Sequence, residues 1–251
     1  MKKTLSIALA LVLCLGLLAA CGEAASDPSE APESEAPASE APASEAPASE
    51  APAADGEFTT IVEGKLTMST NAQFPPYEMT TDDGGFEGID VEIATAIAEK
   101  LGLELDILDM DFDSALLAVQ QGKSDIVMAG VTVNEDRLLV MDFTDSYATG
   151  VQVVIVKEGS DVTIDNMGEG LIGTQRGTTG YLYCTDDFGE ENVIAYDDGL
   201  TAVQALNNGQ VDAVVIDNAP AQEFVKNNAG LTILDTEYAV EDLSLIHISE
   251  P

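Results

Sequence analysis

The sequence predicts an α/β fold in two similarly built lobes, each a mostly parallel sheet with flanking helices. Three observations lead there. From Phe58 onward, short apolar runs alternate with stretches of helical period, the texture of strand–helix–strand units. Within them "DIVMAG" (Asp125–Gly130) is a near-continuous apolar run, as a strand covered on both faces requires. The third is an internal echo: "AVQQGKSDIVMA" (Ala118–Ala129) and "ALNNGQVDAVVI" (Ala205–Ile216) share one plan. Each is a helix end, two amides, a glycine, two residues, an aspartate and a buried strand, and the second copy follows the first by 87 residues.

The elements follow in order. "KLTMST" (Lys65–Thr70) reads as a strand. "VEIATAIAEKLG" reads as a helix with Val91, Ala94, Ile97 and Leu101 on one face, and Gly102 ends it. "LELDIL" is a strand, and "SALLAVQQG" is a helix with Gly122 just past its end. "GLIGT" is a short strand that leads into a turn and a helix at "RGTTGYLY"; another helix begins near Pro220.

Charge narrows the partners. With 46 acidic against 9 basic residues the net charge is −37, which repels phosphate backbones and argues against nucleic acid. A hydrophobic content of 45% still supplies a core. The N-terminus is read as a signal peptide over residues 1–20: a basic start, an apolar run, then small residues before Cys21. Residues 21–57 read as a linker, because four copies of "SEAPA" from Ser34 to Ala53 put proline where helix would form and space glutamates that repel. Once the signal is removed, Cys184 is left as a single thiol, read as structural rather than nucleophilic.

Polar residues gather at the expected carboxyl ends of strands, where open α/β sheets place their sites. Arg137 is one of seven basic residues between Phe58 and Asp242, and its fork suits a carboxylate; pairing with Glu135 or Asp136 is the alternative. Thr132 adds a hydroxyl. Gly177 with Thr178 and Thr179 at a helix start offers free N–H groups, an anion site that is also an ordinary cap. Asp217 directly follows "AVVI" and suits an ammonium group, or else caps the next helix. Phe74, Tyr77 and Phe112 follow strands and suit apolar walls or plain core. An α-amino acid complements this set.

At these residues the chain resembles the solute-binding proteins for polar amino acids that feed ABC importers. "GIDVEIATAIAEKL", "TVNEDRLLVMDFTDSYATG", "RGTTG" and "DAVVID" carry the resemblance, which spans Phe58 to Asp242. It implies a type II periplasmic-binding-protein fold, with lobe 1 over 58–149 and lobe 2 over 150–242, that closes on its ligand. It implies that Arg137 grips the α-carboxylate with Thr132 and the Thr178–Thr179 turn. Asp217, with backbone carbonyl from Ala129–Gly130, holds the ammonium, and Phe74 and Phe112 flank the side chain. Asn71 stands where basic-ligand relatives carry aspartate, which turns the expectation to a polar or neutral amino acid, cystine-like ones included. "LAAC" (Leu18–Cys21) resembles the lipobox of bacterial lipoproteins, so Cys21 is expected to be lipidated and to anchor the chain outside the cytoplasmic membrane, or in the periplasm of a host with two membranes. The implied partners are an ABC permease, the membrane through that anchor, and no second copy of the chain; no enzyme activity, cofactor or metal is implied. A ligand-sensing module for signalling and a dehydratase-like enzyme are the alternatives on this fold.

Family members continue past "EYAVED" with a strand that recrosses to lobe 1 and a final helix. Here the chain reads "LSLIHISEP", which matches the in-frame translation of a transposase adapter from sequencing libraries. Residues 243–251 are therefore expected to be non-native, the final strand and helix missing, and His247 without function.

Overall fold

The computed structural model describes residues 59–247. The expectations for the signal peptide, Cys21, the linker and residues 248–251 lie outside the described residues. In chain order the first run of elements is β1 (Lys65–Thr70), β2 (Gln73–Phe74), β3 (Glu78–Thr80), β4 (Phe86–Glu87), α1 (Ile89–Leu101), β5 (Glu104–Asp109), α2 (Phe112–Gln120), β6 (Ile126–Val127), α3 (Glu135–Leu138) and β7 (Asp142–Phe143). The second is β8 (Ala148–Lys157), β9 (Ile172–Gln175), α4 (Thr179–Phe188), β10 (Val193–Tyr196), α5 (Gly199–Asn207), β11 (Ala213–Asp217), α6 (Asn218–Asn227), β12 (Leu231–Ile233), β13 (Ala239–Leu243) and β14 (Ile246–His247).

Two sheets result, one per lobe. Lobe 1 orders its strands β5-β1-β6-β14-β7, and lobe 2 orders them β10-β9-β11-β8-β12, with β13 also on β8. The strands β5, β1 and β6 run parallel, as do β10, β9 and β11. A small sheet, β2-β3-β4, adds to lobe 1. The helix α1 ends as expected at Gly102, whose left-handed backbone lets Leu103 N–H reach back to Ala98 O at 2.9 Å. Its buried face is Val91, Ala94 and Ala98, whereas the expected Leu101 is 38% exposed. The pair Ala94 and Ala98, one turn apart, presents the flatter surface to the sheet and sets the rotation of the helix.

The internal echo is repeated bond for bond. Gly122 and Gly209 both take positive φ, and their N–H groups donate to Val119 O and Leu206 O at 3.1 and 3.0 Å. The next residues, Lys123 and Gln210, donate to Ala118 O and Ala205 O at 2.8 and 2.9 Å. Then Asp125 accepts from Thr67 N–H at 2.7 Å, and Asp212 accepts from Leu171 N–H at 2.9 Å. Each aspartate thus ties its own strand to the neighbouring parallel strand of its lobe. The first copy differs in one respect: its ladder is only Ile126–Val127, and while Met128 stays in the core, Ala129 and Gly130 line the cleft.

Cys184 is fully buried beside Val154, Ile172 and Val215, and burial pushes its thiol up to about 12. It is a core residue, as expected.

The expectation of a missing recrossing strand is corrected. Residues Ala239–Leu243 pair antiparallel with Gln152–Ala148 of β8, and Ile246–His247 enter lobe 1 between β6 and β7. Leu243, Leu245 and Ile246 are buried there, and Ser244 Oγ donates to Thr144 O at 2.8 Å. The physical reason is pattern: apolar residues of this size fill a sheet slot whatever their origin. No helix follows Asn227 among the described residues. Ile246→Ala is expected to destabilise the chain by about 2–5 kcal/mol, the range for emptying a packed core position. Urea unfolding would check this, and an unchanged midpoint would remove β14 from the core.

Candidate functional site

The carboxyl ends of both sheets face one narrow cavity. Lobe 1 contributes Asn71, Phe74, Glu78, Phe112, Ala129, Gly130, Thr132 and Arg137; lobe 2 contributes Gln175, Thr178, Thr179 and Asp217. Every residue expected at the site lines it except Tyr77. That ring stacks behind Phe74, with centroids 5.9 Å apart, and packs into the lobe 2 core with Phe224 and Leu206.

Arg137 is 7% exposed. Asn134 caps α3 by accepting from Arg137 N–H at 2.9 Å, which turns the side chain inward. Its Nη1 donates to Thr132 O at 2.8 Å and its Nη2 to Gly177 O at 3.2 Å, so the guanidinium touches both lobes. It also stands 5.5 Å over the Phe112 ring. These contacts replace the alternative pairing with Glu135 or Asp136. Burial pulls its pKa below the usual arginine value, while Glu241, Tyr183, Asp113 and Asp217 favour the cation. Opposite it, Thr178 caps α4 by accepting from Tyr181 N–H at 3.4 Å. The first-turn N–H groups of that helix are the ones an α-helix leaves unpaired. Guanidinium and helix start together make a place for an anion.

Asp217 ends β11 and is 8% exposed. It makes no side-chain cap to α6, so the capping alternative is not what the structure has. Its Oδ2 accepts from Gln152 Nε2 at 2.8 Å, and its Oδ1 is buried without a partner. Burial first, and then the Glu241 charge, push this carboxyl up to about 7. A ligand cation here would supply the missing partner.

The far end of the cavity holds what the sequence did not reveal. Asn71 donates to Met110 O at 2.9 Å and accepts from Gln175 Nε2 at 2.9 Å, so its amide bridges the lobes. Glu78 is fully buried, and its partner is the neighbouring Asp90 carboxyl. Burial and the neighbouring Asp90 carboxyl raise it well above the usual carboxylate range. Asp90 in turn accepts from Gly130 N–H at 3.0 Å. The available signal was an acid inside the apolar, aromatic stretch "FPPYEM"; Gln175 lay unassigned within "GTQRG".

Lobe contact is close at Gly177, whose φ of 74° suits glycine and where a Cβ would collide with the Asp113 carboxylate. Gly177→Ala is expected to cost about 1–2 kcal/mol, because a side chain is unfavourable at positive φ, while the exposed Asp113 carboxylate can turn away. Urea unfolding would show a lower midpoint; an unchanged midpoint would mean that the turn relaxes without cost.

The chain matches the model of the "Bacterial extracellular solute-binding proteins, family 3" over residues 66–231. It is 33% identical to a "Probable histidine-binding protein" of Neisseria gonorrhoeae over 64% of this chain and 62% of that protein. It is 30% identical to the L-cystine-binding protein TcyJ of Escherichia coli K12, over 65% of this chain and 62% of that one. The chain thus spans less than two thirds of the length of either relative. Among solved structures, the arginine-bound form of a truncated ArgBP from T. maritima superposes with a TM-score of 0.70 at 34% identity, covering 73% of this chain and 88% of that one.

Proposed function

The chain belongs to the bacterial extracellular solute-binding proteins, family 3, and from that premise we propose that it captures a polar L-amino acid outside the cytoplasmic membrane and delivers it to the permease of an ABC importer. One observation carries this reading: a buried arginine beside a helix start and a buried, half-satisfied aspartate face one small cavity. An α-carboxylate meets Arg137, Thr132 and the Thr178–Thr179 turn. The α-ammonium meets Asp217 and the carbonyl groups of Ala129–Gly130. Phe74 and Phe112 bound the side chain, and Glu78 offers it an acceptor. Because the Asn71 amide is engaged with Met110 and Gln175, the neutral preference read from that residue widens to side chains that donate N–H groups. The relatives named for histidine, cystine and arginine fit this range.

Closure then follows from the ligand. Residues from both lobes bind it, so it stabilises the closed arrangement over the open one. The permease would read the closed surface. Lipidation of Cys21 would tether a single copy of the two-lobed body to the membrane.

Calorimetry with the twenty amino acids and cystine tests the reading, and failure of all of them to bind would overturn it. Arg137→Ala and Asp217→Ala are each expected to weaken the bound ligand at least about a hundredfold, since each strands a buried charge. Retained affinity in either variant would remove that residue from the binding pose.

A further inference from the structure

Glu241 lies on none of the strand ends or helix starts that carry the site, yet it is only 6% exposed. It sits on β13 opposite Gly150 of β8, in the ribbon where the chain recrosses between the lobes. Its Oε2 accepts from Thr132 Oγ1 at 3.1 Å and from Gln152 Nε2 at 2.9 Å. The same nitrogen of Gln152 donates to Asp217 Oδ2 at 2.8 Å. One amide group is therefore shared by two carboxylates, one in the cavity wall and one on the ribbon. Asp217 Oδ1 and Glu241 Oε1 are both buried without a partner. Gln152 is 1% exposed and lies close against Gly180, where a Cβ would come within 2.8 Å of its Oε1.

Two like charges held this close and out of water are unfavourable. The cation that faces them is Arg137 of α3. The other titratable groups facing Asp217 are Glu78 of β3, Tyr77 behind Phe74 and Tyr183 of α4, whose hydroxyl pairs with Glu241. None of these adds positive charge.

We propose that Glu241 completes the ammonium site as a positioning residue, and that the Asp217–Glu241 pair holds one proton which an arriving ligand ammonium displaces to solvent. The proposal rests on the amino-acid reading above. Charge balances: the free pair carries one proton and one negative charge. When the ammonium enters, that proton passes to the buffer and the pair faces the ammonium doubly ionised. With Asp217 raised to about 7, the sign follows. Above that value the pair is already ionised and affinity does not change with pH. Below it the ammonium competes with a proton, and affinity falls by about tenfold per pH unit.

Calorimetry on the full chain, in buffers of differing ionisation enthalpy, counts the protons. With a bound amino acid from the panel, close to one proton per ligand is expected at about pH 6 and almost none at about pH 8.5. Glu241→Gln is expected to bind with much reduced proton release and a flattened pH profile. Buffer-independent heats at the lower pH would overturn the proposal, as would unchanged release in Glu241→Gln. The unmutated chain decides the question even if that variant does not fold. Binding without release sinks this inference alone, whereas no binding to any amino acid sinks the amino-acid reading and this inference with it.

Discussion

The rest of the structure depends on a buried guanidinium held by carbonyl groups from both lobes. Taking a cation out of water costs several kcal/mol unless its donors are met. Arg137 meets the demand with Thr132 O from lobe 1 and Gly177 O from lobe 2. Neither acceptor carries a full charge, so the guanidinium keeps attraction to spare for an anion in the cavity. The same two bonds bring the α4 helix start against it. The anion site is thus created by the meeting of the lobes and belongs to neither one.

Acids form the counterpart. Glu78, Asp90, Asp217 and Glu241 are all buried. Their surroundings differ: Asp90 is held by Gly130 N–H and pairs with Glu78, whereas Asp217 and Glu241 share Gln152. A site with one buried cation and several buried acids is electrically incomplete without a cationic ligand group. On this electrostatic ground the proposed ligand is a zwitterion rather than a simple anion.

The echoed element explains how such a site can arise twice from one plan. In each lobe a glycine ends a helix, an aspartate fastens the next strand to its parallel neighbour, and the strand stops at the cleft. The copies then diverge where function begins. The first runs through Ala129–Gly130 to Thr132, and the second stops on Asp217. The shared part is backbone bonding and packing. The unshared part is ligand chemistry.

Local features of the sequence determined a great deal. Strand and helix order, the glycine helix ends, the repeated element and the roles open to Arg137, Thr178, Thr179 and Asp217 were legible, because each depends on neighbours within a few residues. What only the tertiary structure decided are contacts between distant segments. Tyr77 went to the lobe 2 core rather than the cavity, Asn71 was taken up by Met110 and Gln175, and Glu78 met Asp90 at the cavity wall. The tail behaved likewise: apolar residues expected to be adventitious filled a strand position between β6 and β7. Composition states that a residue can be buried or hydrogen-bonded. Which partner it finds is settled by packing across the lobes, where the competing groups come from segments far apart in the chain.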